Sequence, residues 1–311
     1  MTPLIKELIE GDKLYIQAII VSASKGINSS GNQYWNIEIR DSSGSINAKK
    51  WIVEPRDEEI FVSGNIVQLR IEMNKFRDNL QAIITEAKKI SEDEIDITRF
   101  VVAPPVPKEE LIKRFDNLVS SIKNPDCKAL LDYFINKYAK KLYIAPAATS
   151  VHHEFSSGLL MHSVFMAENC DFICKQYGDI DRDLLITGAL LHDFGKMVEL
   201  EGPAIYKYSV EGKLLGHISI MCSELRKAAE ELNITSEVPM LLEHMILSHH
   251  GKLEFGSPVL PLTKEALILS IVDLLDSKIM IVSKALDTVK PGEFTQKIFH
   301  IDNSMFYKPK K

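Results

Sequence analysis

At 311 residues and 45% hydrophobic, the chain carries enough apolar material for two packed cores, and its length favours two domains over one. No apolar run approaches the roughly 18 residues of a membrane span, Met1–Glu7 lacks the basic-then-apolar layout of a signal peptide, and four cysteines in apolar contexts make no disulfide framework, so a cytoplasmic protein without membrane contact is expected. A formal charge of −6 excludes a protein that coats nucleic acid by bulk electrostatics, and any nucleic acid must be held by local groups.

From Lys13 to Ile90 the pattern is short and strand-like. β-rich runs occupy 13–24, 33–40, 45–51, 65–74 and 80–89, with turn signals at Asn28–Asn32, Asp41–Gly44 and Phe76–Asn79 and a short helical or irregular piece near 55–62. Five strands so arranged predict an OB-fold barrel, a fold that binds oligonucleotides across its second and third strands. Tyr34, Trp35, Lys49, Trp51, Lys75, Phe76 and Arg77 fall on those strands or the last hairpin, and aromatics that stack on bases beside cations that track phosphates are the material of a single-strand platform. Core packing competes for the same aromatics, because alternation along a strand buries either Tyr34 or Trp35. Basic clusters at Lys49-Lys50, at Lys75 and Arg77, and in the tail Tyr307–Lys311 read otherwise as solvated faces.

Residues 91–110 form a boundary, acidic at SEDEID and rich in proline at VVAPPVPKEE. Beyond it the apolar spacing is helical over 108–141, 159–177, 181–193, 216–232, 238–250 and 263–286, with Gly178, Gly195 and Gly251 placed as C-terminal caps. Cys170 and Cys174, one turn apart, read as buried thiols rather than metal ligands.

Within these helices, histidines and acids stand where periodicity asks for apolar residues. His162 follows SSGLLM, His192-Asp193 closes LLITGALL, His217 follows KLLG, His249-His250 closes HMILS, and Asp273 interrupts ALILSIVDLL. Any one alone is a core histidine or a salt-bridged acid by default. Together they need a partner that offsets the desolvation of all of them, and a metal cluster is that partner. Neighbours on a helix point about 100° apart, so His192 and Asp193 chelate or bridge only at a helix end, with Gly195 releasing the chain. A bridging carboxylate is what two divalent ions about 3.5–4 Å apart require. Mixed His/Asp ligation without thiolate suits Mn²⁺, Fe²⁺, Co²⁺ or Zn²⁺ better than Ca²⁺.

This order of residues resembles the HD-domain metal-dependent phosphohydrolase superfamily over 148–290, with LLHDFGK as its central signature and ILSHHG and IVDLLDSK as its later parts. An OB-fold ahead of such a domain is similar to the arrangement of the YhaM-type 3′→5′ exoribonucleases, and FSSGLLMHS and HHGKLEFGSPVLPLTKEALILSIVDLLDSK also resemble stretches of that family. The resemblance implies a multidomain chain: an OB-fold nucleic-acid-binding domain over 1–92, a proline-containing linker and helical lead-in over 93–147, a mainly α-helical HD domain over 148–290 and a tail over 291–311. It implies His162, His192, Asp193 and Asp273 around one metal, with Asp193 bridging to a second held by His217 and His249. His250 is then a further ligand or a phosphate contact. Lys196 would face the phosphate, the alternative being a cation favoured by a helix C-terminus. His152 and His153 stay unplaced, and His244, off the face of His249, reads as structural.

The implied activity is hydrolysis of single-stranded RNA from its 3′ end by a metal-activated water, with two divalent ions, Mn²⁺ foremost, as cofactors; single-stranded DNA and self-association stay open. A nucleotide or cyclic-nucleotide phosphohydrolase is the second reading. No Gly-Tyr-Pro follows His249-His250-Gly251, which counts against a cyclic-dinucleotide enzyme. A non-catalytic nucleic-acid-binding protein with a structural metal site is the third, and the complete ligand set counts against it.

Overall fold

The two periodicities of the sequence become two units in the computed structural model, which describes residues 2–76, 79–91, 99–100, 105–145, 157–202 and 206–310. One unit comprises Met1–Ala103 with Gly202–Lys207, the other Pro104–Glu201 with Tyr208–Lys311.

In the first unit, strands β1 (Lys13–Ile27), β2 (Gln33–Asp41), β3 (Gly44–Lys50), β4 (Ile66–Phe76) and β5 (Asn79–Lys89) form a closed barrel in the order β1-β2-β3-β5-β4. This is the OB-fold. The 15-residue β1 pairs antiparallel with both β2 and β4, and a register shift between Ile20 and Ser22 lets it bend from one partner to the other. A short parallel contact of β3 with β5, Ala48 opposite Ala82 and Lys49 opposite Ile83, closes the barrel where two alanines leave room. Ile16, Ala18, Ile20, Ile37, Ile39, Val67, Leu69 and Ile71 alternate inward and fill the interior.

Of the two neighbouring aromatics on β2, Trp35 is the buried one, edge-on to Phe61 with ring centroids 5.5 Å apart. The basic pair at 49–50 is not two surface cations: Lys50 is buried and bonds both oxygens of buried Asp57 at 2.8 and 2.7 Å and Glu54 at 2.7 Å, tying α1 (Asp57–Ile60) to the end of β3. Removing one partner of such a buried pair costs about 3–5 kcal/mol.

The second unit is built of α2 (Lys108–Ser120), α3 (Pro125–Leu142), α4 (Gly158–Gln176), α5 (Arg182–Leu191), α6 (Lys196–Glu199), α7 (Val210–Glu231), α8 (Val238–Ser248) and α9 (Lys264–Asp287). The helical stretch expected over 108–141 is two helices. Asn124 accepts the N–H bonds of Asp126 and Cys127, and Pro125 occupies the first turn, so a new helix starts there. Every residue from Leu184 to Leu191 is buried, because α5 packs against α4, α8 and α9.

Of the three expected glycine caps, only Gly251 has a positive φ (76°). Gly195 is helical (φ −56°) and opens α6. The tail folds back on α9, where the Lys308 ammonium bonds the carbonyls of Leu286 and Val289, so this cation caps a helix rather than extending into solvent. All four cysteines are free thiols, and Cys170 is buried. Among the described residues no helix is long and apolar enough to cross a membrane.

Candidate metal centre and nucleic-acid face

The motifs LLHD and LSHH are the same local device. α5 stops at Leu191 and α8 at Ser248, and the next residue, His192 or His249, turns its Nδ1–H onto a carbonyl that the helix end leaves unpaired: Ala189 O at 2.9 Å and Ile246 O at 2.7 Å. Each ring thereby aims Nε2 away from its helix, and the two rings meet with centroids 4.9 Å apart. His250 is fixed in the same way by Phe255 O at 2.8 Å.

His162 lies buried on α4, its Nδ1 2.7 Å from Asp276 Oδ2 on α9 and its Nε2 3.2 Å from His192 Nε2. His217 follows a kink in α7, where Gly216 (φ 69°, ψ 155°) takes a conformation closed to other residues. The kink turns the His217 backbone N–H and Nδ1–H onto Glu199 Oε1 at 3.1 and 3.2 Å. A Cβ on Gly195 would lie 2.1 Å from His217 O, so glycine after the His-Asp pair is required by this backbone approach, not by a helix cap.

Asp193 joins the two groups. Its Oδ2 lies 3.4 Å from His192 Nε2 and 3.7 Å from His162 Nε2, while Oδ1 lies 3.4 Å from His217 Nε2 and 3.7 Å from His249 Nε2. The ligand atoms of His162, His192 and Asp193, and those of His217, His249 and His250, each fall within 4.8 Å of one another. Asp273 Oδ1 approaches the first group, 3.4 Å from His162 Nε2. Asp193 Oδ1, His217 Nε2 and His249 Nε2 are buried with no hydrogen-bond partner, a loss of about 1–3 kcal/mol for each such atom. Lone pairs converging on one point fit a divalent cation.

Burial opposes the charge on Asp193, yet Lys196, whose Nζ is 2.7 Å from Oδ2, and His192 hold the carboxyl well below its usual range. Lys196 in turn is kept charged by Asp193 against its own burial. It stands in the single turn of α6, beside this carboxylate. Burial works against the His162 imidazolium, but its bonds to Asp273 and Asp276 raise it to about 10 before any cation binds, so a cation held by Nε2 would have to displace that proton. Burial, with His192 and His250 nearby, pushes His249 far down and keeps it neutral.

On the barrel, Tyr34 and Trp51 lie with ring centroids 5.0 Å apart, and Lys49 Nζ sits 5.1 Å from the first ring and 5.2 Å from the second. Trp51 is 44% exposed, one residue past the end of β3. Lys75 is exposed near the far end of β4. The Phe76 side chain, Arg77, His152 and His153 lie outside the described residues. His244 Nε2 accepts the Leu262 N–H at 2.9 Å and anchors the approach to α9.

Two acids of this site stand outside the ligand set read from the sequence, Asp276 as the alternative to Asp273 and Glu199 unnoticed. Asp276 stands one turn after Asp273, and that spacing is the available signal for it. Glu199 carries none, because it meets His217 only through the fold.

The HD domain family matches residues 159–278. A protein of Geobacillus sp. (strain WCH70) named 3′-5′ exoribonuclease YhaM is 41% identical over 300 residues, spanning 96% of this chain and 93% of that one. Among solved structures, the second OB-fold domain of replication protein A from Methanococcus maripaludis aligns 97% of its length with 30% of this chain at 23% identity and a TM-score of 0.25. The mitochondrial single-stranded DNA binding protein Rim1 of S. cerevisiae aligns 97% of its length with 27% of this chain at 15% identity and a TM-score of 0.23.

Proposed function

The chain belongs to the YhaM family of 3′-5′ exoribonucleases, and on that premise we propose that it shortens single-stranded RNA hydrolytically from the 3′ end at the cluster centred on Asp193. The observation that carries the reading is the carboxylate with one oxygen turned to each histidine group. His162, His192, Asp193 and Asp273 would hold one divalent ion, and Asp193, His217, His249 and His250 a second. Bound there, such ions supply Lewis-acid activation of water and of the phosphoryl oxygens. Mixed nitrogen and oxygen ligation suits Mn²⁺, Fe²⁺, Co²⁺ or Zn²⁺, and Mn²⁺ is put first on the family resemblance rather than on the donor set.

The chain's own groups set the geometry. Fixed Nδ1–H bonds keep every Nε2 directed at the centre, so little reorganisation accompanies substrate entry. Lys196, charged and largely buried, is placed to stabilise negative charge on the phosphoryl oxygens. Tyr34, Lys49 and Trp51 would hold the strand on the barrel by stacking and phosphate contact, with Lys75, Phe76 and Arg77 as the further residues of that path. Local contacts of this kind reconcile RNA binding with a net charge of −6.

A time course on 3′- and 5′-labelled single-stranded RNA, single-stranded DNA and duplex RNA, with Mn²⁺, Co²⁺, Zn²⁺ or chelator, tests the proposal. Stepwise shortening from the 3′ end that stops with chelator is expected. Internal cleavage, or shortening that chelator leaves intact, refutes it.

A further inference from the structure

Each histidine group contains one ring held by a carboxylate, while the other rings are held by main-chain carbonyls. In the first group the carboxylate is Asp276, 2.7 Å from His162 Nδ1. In the second it is Glu199, which takes both the Nδ1–H and the backbone N–H of His217. Both acids are nearly buried, 7% and 8% exposed, and His217 holds the Glu199 carboxyl below its ordinary range against the opposing effect of burial.

A carboxylate behind an imidazole differs from a carbonyl in two respects. It adds a full negative charge to the site, and it makes the opposite ring nitrogen a stronger donor to a metal. The charge matters most in the second group, where, among the described residues, three imidazoles gather around a single shared carboxylate oxygen, Asp193 Oδ1. We infer that Glu199 and Asp276 are positioning residues, one for each ion, which fix the Nδ1–H tautomer and ring angle of His217 and His162 and set the affinities of the two sites separately. The inference rests on the metal reading of the cluster. Neither acid needs to touch substrate, since each acts through its histidine.

Calorimetric titration of the full chain with Mn²⁺ provides the test, using two backgrounds that each retain one group. In His162→Ala, which keeps the second group, Glu199→Gln should lower the affinity of the remaining site about 10- to 100-fold and Asp276→Asn should leave it unchanged. In His217→Ala the dependence should reverse. General loosening of the fold, followed by thermal melting, produces no such crossover, and His162→Gln and His217→Gln replace any alanine background that fails to fold. Two sites in the wild type with Glu199→Gln and Asp276→Asn equally damaging, or equally harmless, in both backgrounds overturn the inference and leave the metal reading standing. A wild-type protein that binds no Mn²⁺ overturns both.

Discussion

Trp51→Ala separates binding from folding on the barrel. With 44% of the residue exposed, Trp51 buries about half the area of a core tryptophan, whose truncation costs about 3–5 kcal/mol, so a stability loss of about 1.5–2.5 kcal/mol is expected. Loss of one stacked base should weaken RNA binding by about 1–3 kcal/mol, which is about 5- to 150-fold in Kd. Trp35→Ala is the contrasting change: that ring is buried against Phe61, and its removal should take the full core penalty. Lys49→Met tests the electrostatic half of the patch, since losing one phosphate contact on a single strand should flatten the slope of log K against log salt by about 0.7. Fluorescence anisotropy with labelled single-stranded RNA in EDTA gives Kd without consuming the strand, and thermal melting gives stability. A Trp51→Ala protein with wild-type Kd and a strongly lowered Tm would make Trp51 a barrel support and refute the stacking patch.

Asp193→Ala should abolish hydrolysis and lower the metal content measured by elemental analysis while far-UV circular dichroism keeps most of its helical signal; full activity refutes the bridging role. A fragment of residues 104–311 should still hydrolyse a bis-p-nitrophenyl phosphodiester but lose most of its affinity for long single strands, and unchanged processing of long RNA by it would remove the barrel from substrate binding. Burial pushes the Cys127 thiol up to about 11 and the Cys222 thiol up to about 12, so a disulfide reagent at neutral pH should leave both unmodified until the protein is denatured, and prompt labelling of either in the native state contradicts their packing.

The barrel was legible because a period of two marks strands whatever they pair with, and the five expected runs lie within a few residues of the observed β1 to β5. The buried Lys50 was not legible. Its sequence context, beside Lys49 and ahead of Trp51, is that of a surface strand, and only the return of α1 brings Asp57 and Glu54 to it. The helix starting at Val210 rather than Gly216 has a similar cause, since Gly216 reads as a boundary while the chain kinks there and continues.

The histidine site divides along the same line. His192, His249 and His250 each find the acceptor for Nδ1 within five residues of themselves, at the end of an apolar helix or in the loop just after it, so their inward orientation is encoded by the local run of sequence. His162 and His217 have no helix end to use. His162 sits on the first turns of α4 and His217 beyond the α7 kink, and their orientation depends on acids 114 and 18 residues away. Because a local acceptor comes with its helix while a distant one depends on tertiary packing, the orientation of the His192 and His249 rings depends on α5 and α8, and that of His162 and His217 on the packing of α9 and of the Glu199 turn. Loosening α9 packing, as with Leu269→Ala in the core of that helix, should therefore weaken Mn²⁺ binding more in the His217→Ala protein, which keeps His162, than in the His162→Ala protein, which keeps His217. Equal weakening in the two backgrounds would show that the docking of α9 orients both groups alike.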